Sequence, residues 1–244
     1  MLDTATATAP FGVLVIEIGT GWTDLVTDSL RREGILVSIA AGGASALLEI
    51  VAKAQPQMII LELGGSVAET LATCRMLRSV SQAHIAVLAA DVAAATAAAE
   101  VDAGIDEVIT EPLRAGEIAC RVRTMLNHRR PAITIGRTHT DVGAVQRFGP
   151  MTIDEQQRLV FVSGEQIQLT RTQFDILVAL SHRPGGITTR RELLNAVWGH
   201  GWQGNPGVID VHIGHLRRRL GDDPAHPRLV MNIRGVGYRL PDSC

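Results

Sequence analysis

Cysteine is scarce in this chain of 244 residues, and its few occurrences are scattered. The three, Cys74, Cys120 and Cys244, are odd in number and far apart, with no CxxC pair, which excludes a disulfide framework and a structural zinc site of the usual spacing. Cys74 and Cys120 are expected as small buried helix residues, and Cys244 as a reactive thiol near the end. Long apolar runs are also missing: nowhere do eighteen apolar residues follow one another, and the first residues, MLDTATATAP, lack a basic stretch ahead of an apolar one. A cytoplasmic protein without a membrane partner is the expectation. Lysine is nearly absent, Lys53 being the only one, and the preference for Arg and Ala suggests a GC-rich bacterial genome. Apolar residues at 46% and charged residues at 20% exclude a disordered chain.

The net charge of -2 argues at first against a nucleic-acid partner. It divides unevenly, however. Residues 1–140 hold 11 basic and 15 acidic residues, whereas residues 141–244 hold 12 basic and 10 acidic ones together with five of the eight histidines. The pattern of the chain divides in the same region. From 11 to 128, short apolar runs at 13–18, 35–39, 58–63, 85–89 and 105–109 alternate with stretches of helical length such as 25–33, 46–54 and 113–127, which predicts a parallel sheet wrapped by helices. The fourth helix, AADVAAATAAAEVDAG, has high propensity but few anchors, so loose packing or a partner is expected. Residues 129–145 gain Pro, Gly and Thr and read as a linker, and 146–242 as a second domain.

That second domain opens with strand-like pieces, FGPMTID and RLVFVSGEQIQLT, the latter turning at Ser163-Gly164. Thr170-x-x-Gln173 and Thr189-x-x-Glu192 are capping boxes that start two helices. A third helix is expected over GVIDVHIGHLRRRLG, and RLVMNIRGVGYRL closes as a hairpin with Gly235 and Gly237 at its bend. On a helical wheel, Ile209, Ile213, Leu216 and Leu220 share one face of the third helix. Gly207, Val211, Gly214, His215 and Arg218 lie opposite, with Arg217, Arg219 and His212 on the flanks. A capped helix followed by one with an Arg-rich free face fits a helix-turn-helix. Its arginines could reach phosphates or guanines, His215 could donate to a base or phosphate, and Val211 could meet a thymine methyl. A solvated amphipathic helix is the competing reading.

From Leu169 to Leu240 the motifs LTRTQFDILVAL, TTRRELLNAVWG, IDVHIGHLRRRLG and NIRGVGYRL resemble the winged-helix effector domain of the OmpR/PhoB class of bacterial response regulators. The resemblance implies an amino-terminal antiparallel sheet, three helices and a C-terminal hairpin as wing. It makes residues 207–220 the recognition helix, places Arg234 in the minor groove, and puts Thr189, Arg190, Trp198 and Arg217 at backbone phosphates. For Trp198, packing between helices is the main expected role. The loop 199–207 falls where such proteins touch RNA polymerase, with Trp202 as anchor. Gly207, Gly214 and His215 depart from relatives that often carry arginines there.

By the same resemblance, residues 11–128 are similar to a receiver domain with a flavodoxin-like sheet. Receivers are phosphorylated on an aspartate ending the third strand, with a carboxylate pair after the first strand holding magnesium, a hydroxyl ending the fourth and a lysine before proline ending the fifth. Here Glu17 stands near the acidic pair, Glu62 at the nucleophile, Ala89 at the hydroxyl and Glu111 at the lysine. Val108 replaces the aromatic of the switch. Glutamate overreaches the phosphoryl geometry, alanine cannot hydrogen-bond to it, and Glu111 repels it. Two readings stand for Glu17, Glu62 and Glu111: a decayed solvated pocket, or a working one in which Glu62 mimics a permanent charge or the acid cluster senses a cation or pH. The family pairs its receivers through the fourth helix, fifth strand and fifth helix, which assigns Asp102, Asp106, Glu107, Arg121 and Arg123 to a homodimer face.

The expected function is a sequence-specific DNA-binding transcription regulator acting on double-stranded promoter DNA with tandem half-sites, without aspartyl phosphorylation, cofactor or resident metal. A protein-interaction adaptor with weakened base readout is the alternative. An enzyme using the three glutamates is the third reading, and it lacks a nucleophile-base-orienter set.

Overall fold

The computed structural model of the chain describes residues 12–17, 21–63, 66–110, 115–127, 145–200, 202 and 205–243. It divides into two compact units, Met1–Leu126 and Asn127–Cys244. Among the described residues, no helix is long and apolar enough to cross a membrane.

In the first unit the apolar runs become the parallel strands β1 (Val13–Ile16), β2 (Val37–Ala40), β3 (Met58–Glu62), β4 (His84–Ala89) and β5 (Glu107–Thr110). They hydrogen-bond in the order β2-β1-β3-β4-β5, a flavodoxin-like sheet. Helices α1 (Trp22–Arg32), α2 (Ala44–Ala54), α3 (Val67–Val80), α4 (Val92–Glu100) and α5 (Ala115–Asn127) follow the strands in turn. Met58, Ile59, Ile60 and Leu61 of the central β3 are fully buried, because helices cover both faces of a parallel sheet; this is why the strand reads as an unbroken apolar run.

Two strands start later than the apolar pattern suggests. The Ile35 amide still donates to the Leu30 carbonyl (3.0 Å) to close α1, so β2 begins at Val37. The residues ahead of β5 seat Arg78, whose guanidinium donates to the Gly104 carbonyl (2.8 Å) and the Asp106 carboxylate (2.5 Å). The alanine-rich α4 is capped by Asp91, whose carboxylate accepts the Ala94 amide at 2.8 Å. It meets the unit's own core through the buried Ala95 and Ala98, the few anchors its sequence offers, while Val92 is exposed.

The second unit opens with an antiparallel sheet of β6 (Gln146–Phe148), β7 (Met151–Asp154), β8 (Leu159–Val162) and β9 (Glu165–Gln166), in that order. Ser163 (φ 52) and Gly164 (φ 87) make the turn joining β8 to β9. Helices α6 (Arg171–Ser181), α7 (Arg190–Trp198) and α8 (Val208–Leu220) follow, and β10 (Thr188–Thr189), β12 (Gly237–Arg239) and β11 (Met231–Ile233) form a second, three-stranded sheet in that order. Gly235 (φ 77) makes the wing turn, but Gly237 lies in β12 rather than in the bend. A Cβ at Gly237 would overlap the Thr188 carbonyl, so its place is fixed by close approach to β10.

Candidate nucleic-acid interface and receiver pocket

Both capping boxes form as the sequence predicts. Thr170 Oγ1 accepts the Gln173 amide, and the Gln173 side chain accepts the Thr170 amide (2.9 Å). At the start of α7, the Glu192 carboxylate accepts the Thr189 amide and hydroxyl, each at 2.8 Å, and the Arg183 guanidinium at 2.8 Å. Those donors, the Thr189 amide foremost, hold the Glu192 carboxyl down at about 2. Thr189 is thus committed to capping the helix.

The apolar face of α8 buries as expected, with Ile209, Ile213, Leu216 and Leu220 each no more than 3% exposed. On the free face Gly207 and Arg218 are exposed, and Val211 and Gly214 half-buried. The side chains of Arg218 and Arg234, at the C-terminal end of α8 and in the wing turn, are exposed, with no hydrogen bond or ion pair among the described residues.

Three other expected contacts turn inward. His215 is buried, with its ring edge-on to His212 at 6.4 Å, which corrects the assignment of His215 to the free face. The turn of α8 that carries it packs toward the end of α7, where Trp198 lies 5.8 Å from His212. The Arg190 guanidinium donates to Asp210 (2.8 Å) and lies over the Tyr238 ring at 5.1 Å. Arg217 donates twice to the Val230 carbonyl, at 2.9 and 2.6 Å. Its reach is used to fasten the strand leading into the wing, not left free for phosphate. Trp198 is 2% exposed and packs as expected, while Trp202 is half-buried with its ring 5.4 Å from Trp198. A Trp202 held this way is a lid on Trp198 rather than a free anchor.

Two features escaped the sequence reading. Tyr238 donates its hydroxyl to Asp210 at 2.5 Å, joining the wing to the first turn of α8, and burial together with this bond pushes the Tyr238 hydroxyl up to about 12. Asp222, just past α8, is buried and accepts the amides of Arg228, Leu229 and Val230 at 2.6, 3.1 and 2.8 Å. The Gly221-Asp222 pair after a helix was the only signal, and it did not say which amides would converge.

In the first unit, Glu17 follows β1, Glu62 ends β3 and Ala89 ends β4, all at the carboxyl edge where open α/β sheets bind ligands. Glu17 is exposed and Glu62 half-buried. Burial, and then the charge of Glu17, raise the Glu62 carboxyl above the usual range, and its Oε2 is buried without a hydrogen-bond partner among the described residues. Ala89 is fully buried and offers only a methyl group. Val108 is half-buried against the core. Glu111 lies outside the described residues, among which no group of three or more His, Cys, Asp and Glu side chains could hold a metal.

The charges expected at a dimer face are largely used within the chain. Asp106 is 0% exposed, pairs with Arg78 and accepts the Ile85 amide (2.9 Å), so it cannot meet a second copy. Glu107 is buried and pairs with Arg121 (3.4 Å), which also reaches Glu117 (2.8 Å). Arg123 pairs with Glu33. Asp102 is half-buried. Cys74 is buried and its thiol is pushed up to about 12 by that burial, whereas Cys120 is exposed on α5, correcting the expectation that both are interior. Cys244 lies outside the described residues.

A flavodoxin-like unit followed by a winged helix-turn-helix defines the class of two-unit transcriptional response regulators. Residues 164–240 match the family model described as transcriptional regulatory protein, C terminal. The chain is 30% identical over 227 residues to the DNA-binding response regulator MtrA of Mycolicibacterium smegmatis, covering 93% of this chain and 95% of that protein. It is 31% identical over 212 residues to the transcriptional regulatory protein AfsQ1 of Streptomyces coelicolor, covering 87% and 90%. A solved RitR mutant shares the fold with a TM-score of 0.72 at 20% identity, covering 94% of this chain and 98% of that one. The chain belongs to the DNA-binding transcriptional response regulators.

Proposed function

We propose that the chain is a sequence-specific DNA-binding transcription regulator that works without aspartyl phosphorylation of its receiver unit. The main support is the end of β3, where the half-buried Glu62 carboxylate is already pushed toward neutrality by burial and by Glu17. Phosphorylation there would replace the single charge of a carboxylate with about two on the phosphoryl group. Ala89 has no hydroxyl to bind it, and Glu111 stands in sequence where a lysine would neutralise it.

On this reading the second unit binds promoter DNA with α8 in the major groove and the wing alongside. Arg218 and Arg234 reach the DNA, and Val211 and Gly214 face it. Two chains on tandem half-sites raise the effective concentration of each contact, and the loop 199–207 is the surface offered to RNA polymerase. The protein acts in the cytoplasm and carries out no catalysis.

The adaptor reading draws its support from Arg190 and Arg217, whose guanidinium groups are committed inside the unit, and from Gly214 on the free face. Selection of duplexes from a random pool separates the two. Enrichment of a defined sequence supports the regulator, and the absence of any enriched sequence supports the adaptor. For the receiver unit, incubation with a small phosphodonor and magnesium is followed by intact-mass measurement. No added mass is expected; a stoichiometric phosphoryl group lost in Glu62→Gln would overturn phosphorylation independence.

A further inference from the structure

The free face of α8 holds little that could read a guanine or an adenine. Gly207, Val211 and Gly214 are spaced four and three residues apart and so lie along one stripe of the helix. Two of the three have no side chain. A Cβ added at Gly214 would meet nothing within 4 Å, so the space before it is open rather than filled by protein. The polar neighbours are otherwise engaged. Asp210 is held by Arg190 and Tyr238, Arg217 by the Val230 carbonyl, and His212 and His215 are buried. Arg218 stands one turn beyond Gly214, at the C-terminal end of the stripe.

A helix-turn-helix presents the N-terminal part of its second helix to base edges. Guanine is read there by a cationic fork and adenine by a side-chain amide, and the stretch of the stripe from Gly207 to Gly214 has neither. What it offers is the pair of methyl groups on Val211, with bare backbone at Gly214 beyond it and, before it, Gly207, whose amide donates to the Asn205 side chain at 2.9 Å. The base feature that matches aliphatic carbon is the thymine 5-methyl, which projects into the major groove. The open space at Gly214 allows the helix axis to come nearer the base edges than a side chain there would permit.

Resting on the DNA-reader assignment above, we infer that Val211 reads a thymine methyl, with Gly214 supplying the close approach that brings the two together. The preferred site therefore has a required thymine opposite the first half of α8.

The test uses the full chain and the duplex it enriches from a random pool. Each thymine of that duplex is replaced in turn by uracil, which removes only the methyl group. One replacement is expected to weaken binding about fourfold, the worth of one buried methyl. Val211→Ala is expected to weaken the thymine duplex by a similar factor and to bind thymine and uracil duplexes alike. Gly214→Ala is expected to bind the thymine duplex more weakly with its unfolding temperature unchanged or raised, which separates lost approach from lost fold. Affinity that no uracil replacement alters, full discrimination retained by Val211→Ala, or undiminished binding by Gly214→Ala would each overturn the inference while leaving the regulator reading intact. If no sequence is enriched, the regulator reading fails and this inference fails with it.

Discussion

Glu62 carries a charge that the folded first unit does not favour. Its carboxyl is raised by burial and by Glu17, so the folded state binds its proton more readily than the unfolded chain does. Stability should therefore increase as the pH falls from above the raised value toward the ordinary carboxylate range. Glu62→Gln should unfold at a higher temperature than wild type at pH 7 and lose that part of the pH dependence, as thermal melts at a series of pH values would record. Asp222 has the opposite character. Three amides converge on its buried carboxylate, and removing the acceptor strands them. Asp222→Ala should cost on the order of 3 kcal/mol in denaturant unfolding, because orphaned buried donors lose their full solvation. The sequence made Glu62 legible, since a strand end is a position that periodicity locates. The sequence did not say which amides would converge on Asp222, nor that His215 would turn inward, because in both cases the partner comes from elsewhere in the chain. A helical wheel shows which residues share a face, not which neighbour covers its edge.

The elements that could be read were those specified locally. The capping boxes at Thr170 and Thr189 involve residues three apart, and the Ser163-Gly164 turn is set by its own two residues. Where a boundary moved, as at β5, or a side chain was reassigned, as with Arg190, the cause was a partner distant in sequence: Arg78 reaching Asp106, and Arg190 reaching Asp210. The Thr189 cap also has a pH signature. The carboxyl of Glu192, held down at about 2, stabilises α7 fully above the ordinary carboxylate range and progressively less as the pH falls toward about 2. The unfolding temperatures of wild type and Glu192→Gln, well separated at neutral pH, should converge over that interval; a constant difference would show that the carboxylate charge plays no part in the cap.

For the whole molecule, the small net charge of -2 conceals an acidic amino-terminal part and a basic carboxyl-terminal part, and only the latter bears on DNA. If Arg218 and Arg234 each neutralise a phosphate, replacing both with alanine should reduce the slope of log affinity against log salt by about 2. A slope unchanged by the double substitution would remove both residues from the interface. The division into two units was legible because apolar periodicity changes between them, whereas pairing between copies was not, because the acids and arginines assigned to it are largely spent within one chain. Tyr238 is the only tyrosine among the 244 residues, and it lies where the wing meets the helix. Nature has therefore left a single-site optical gauge in the DNA-reading unit. Its phenolate absorbance should emerge near pH 12 while the ring is buried and bonded to Asp210, and at a lower pH in Asp210→Ala, which loses the bond but not the burial, so an alkaline titration of the two would read the latch without any label.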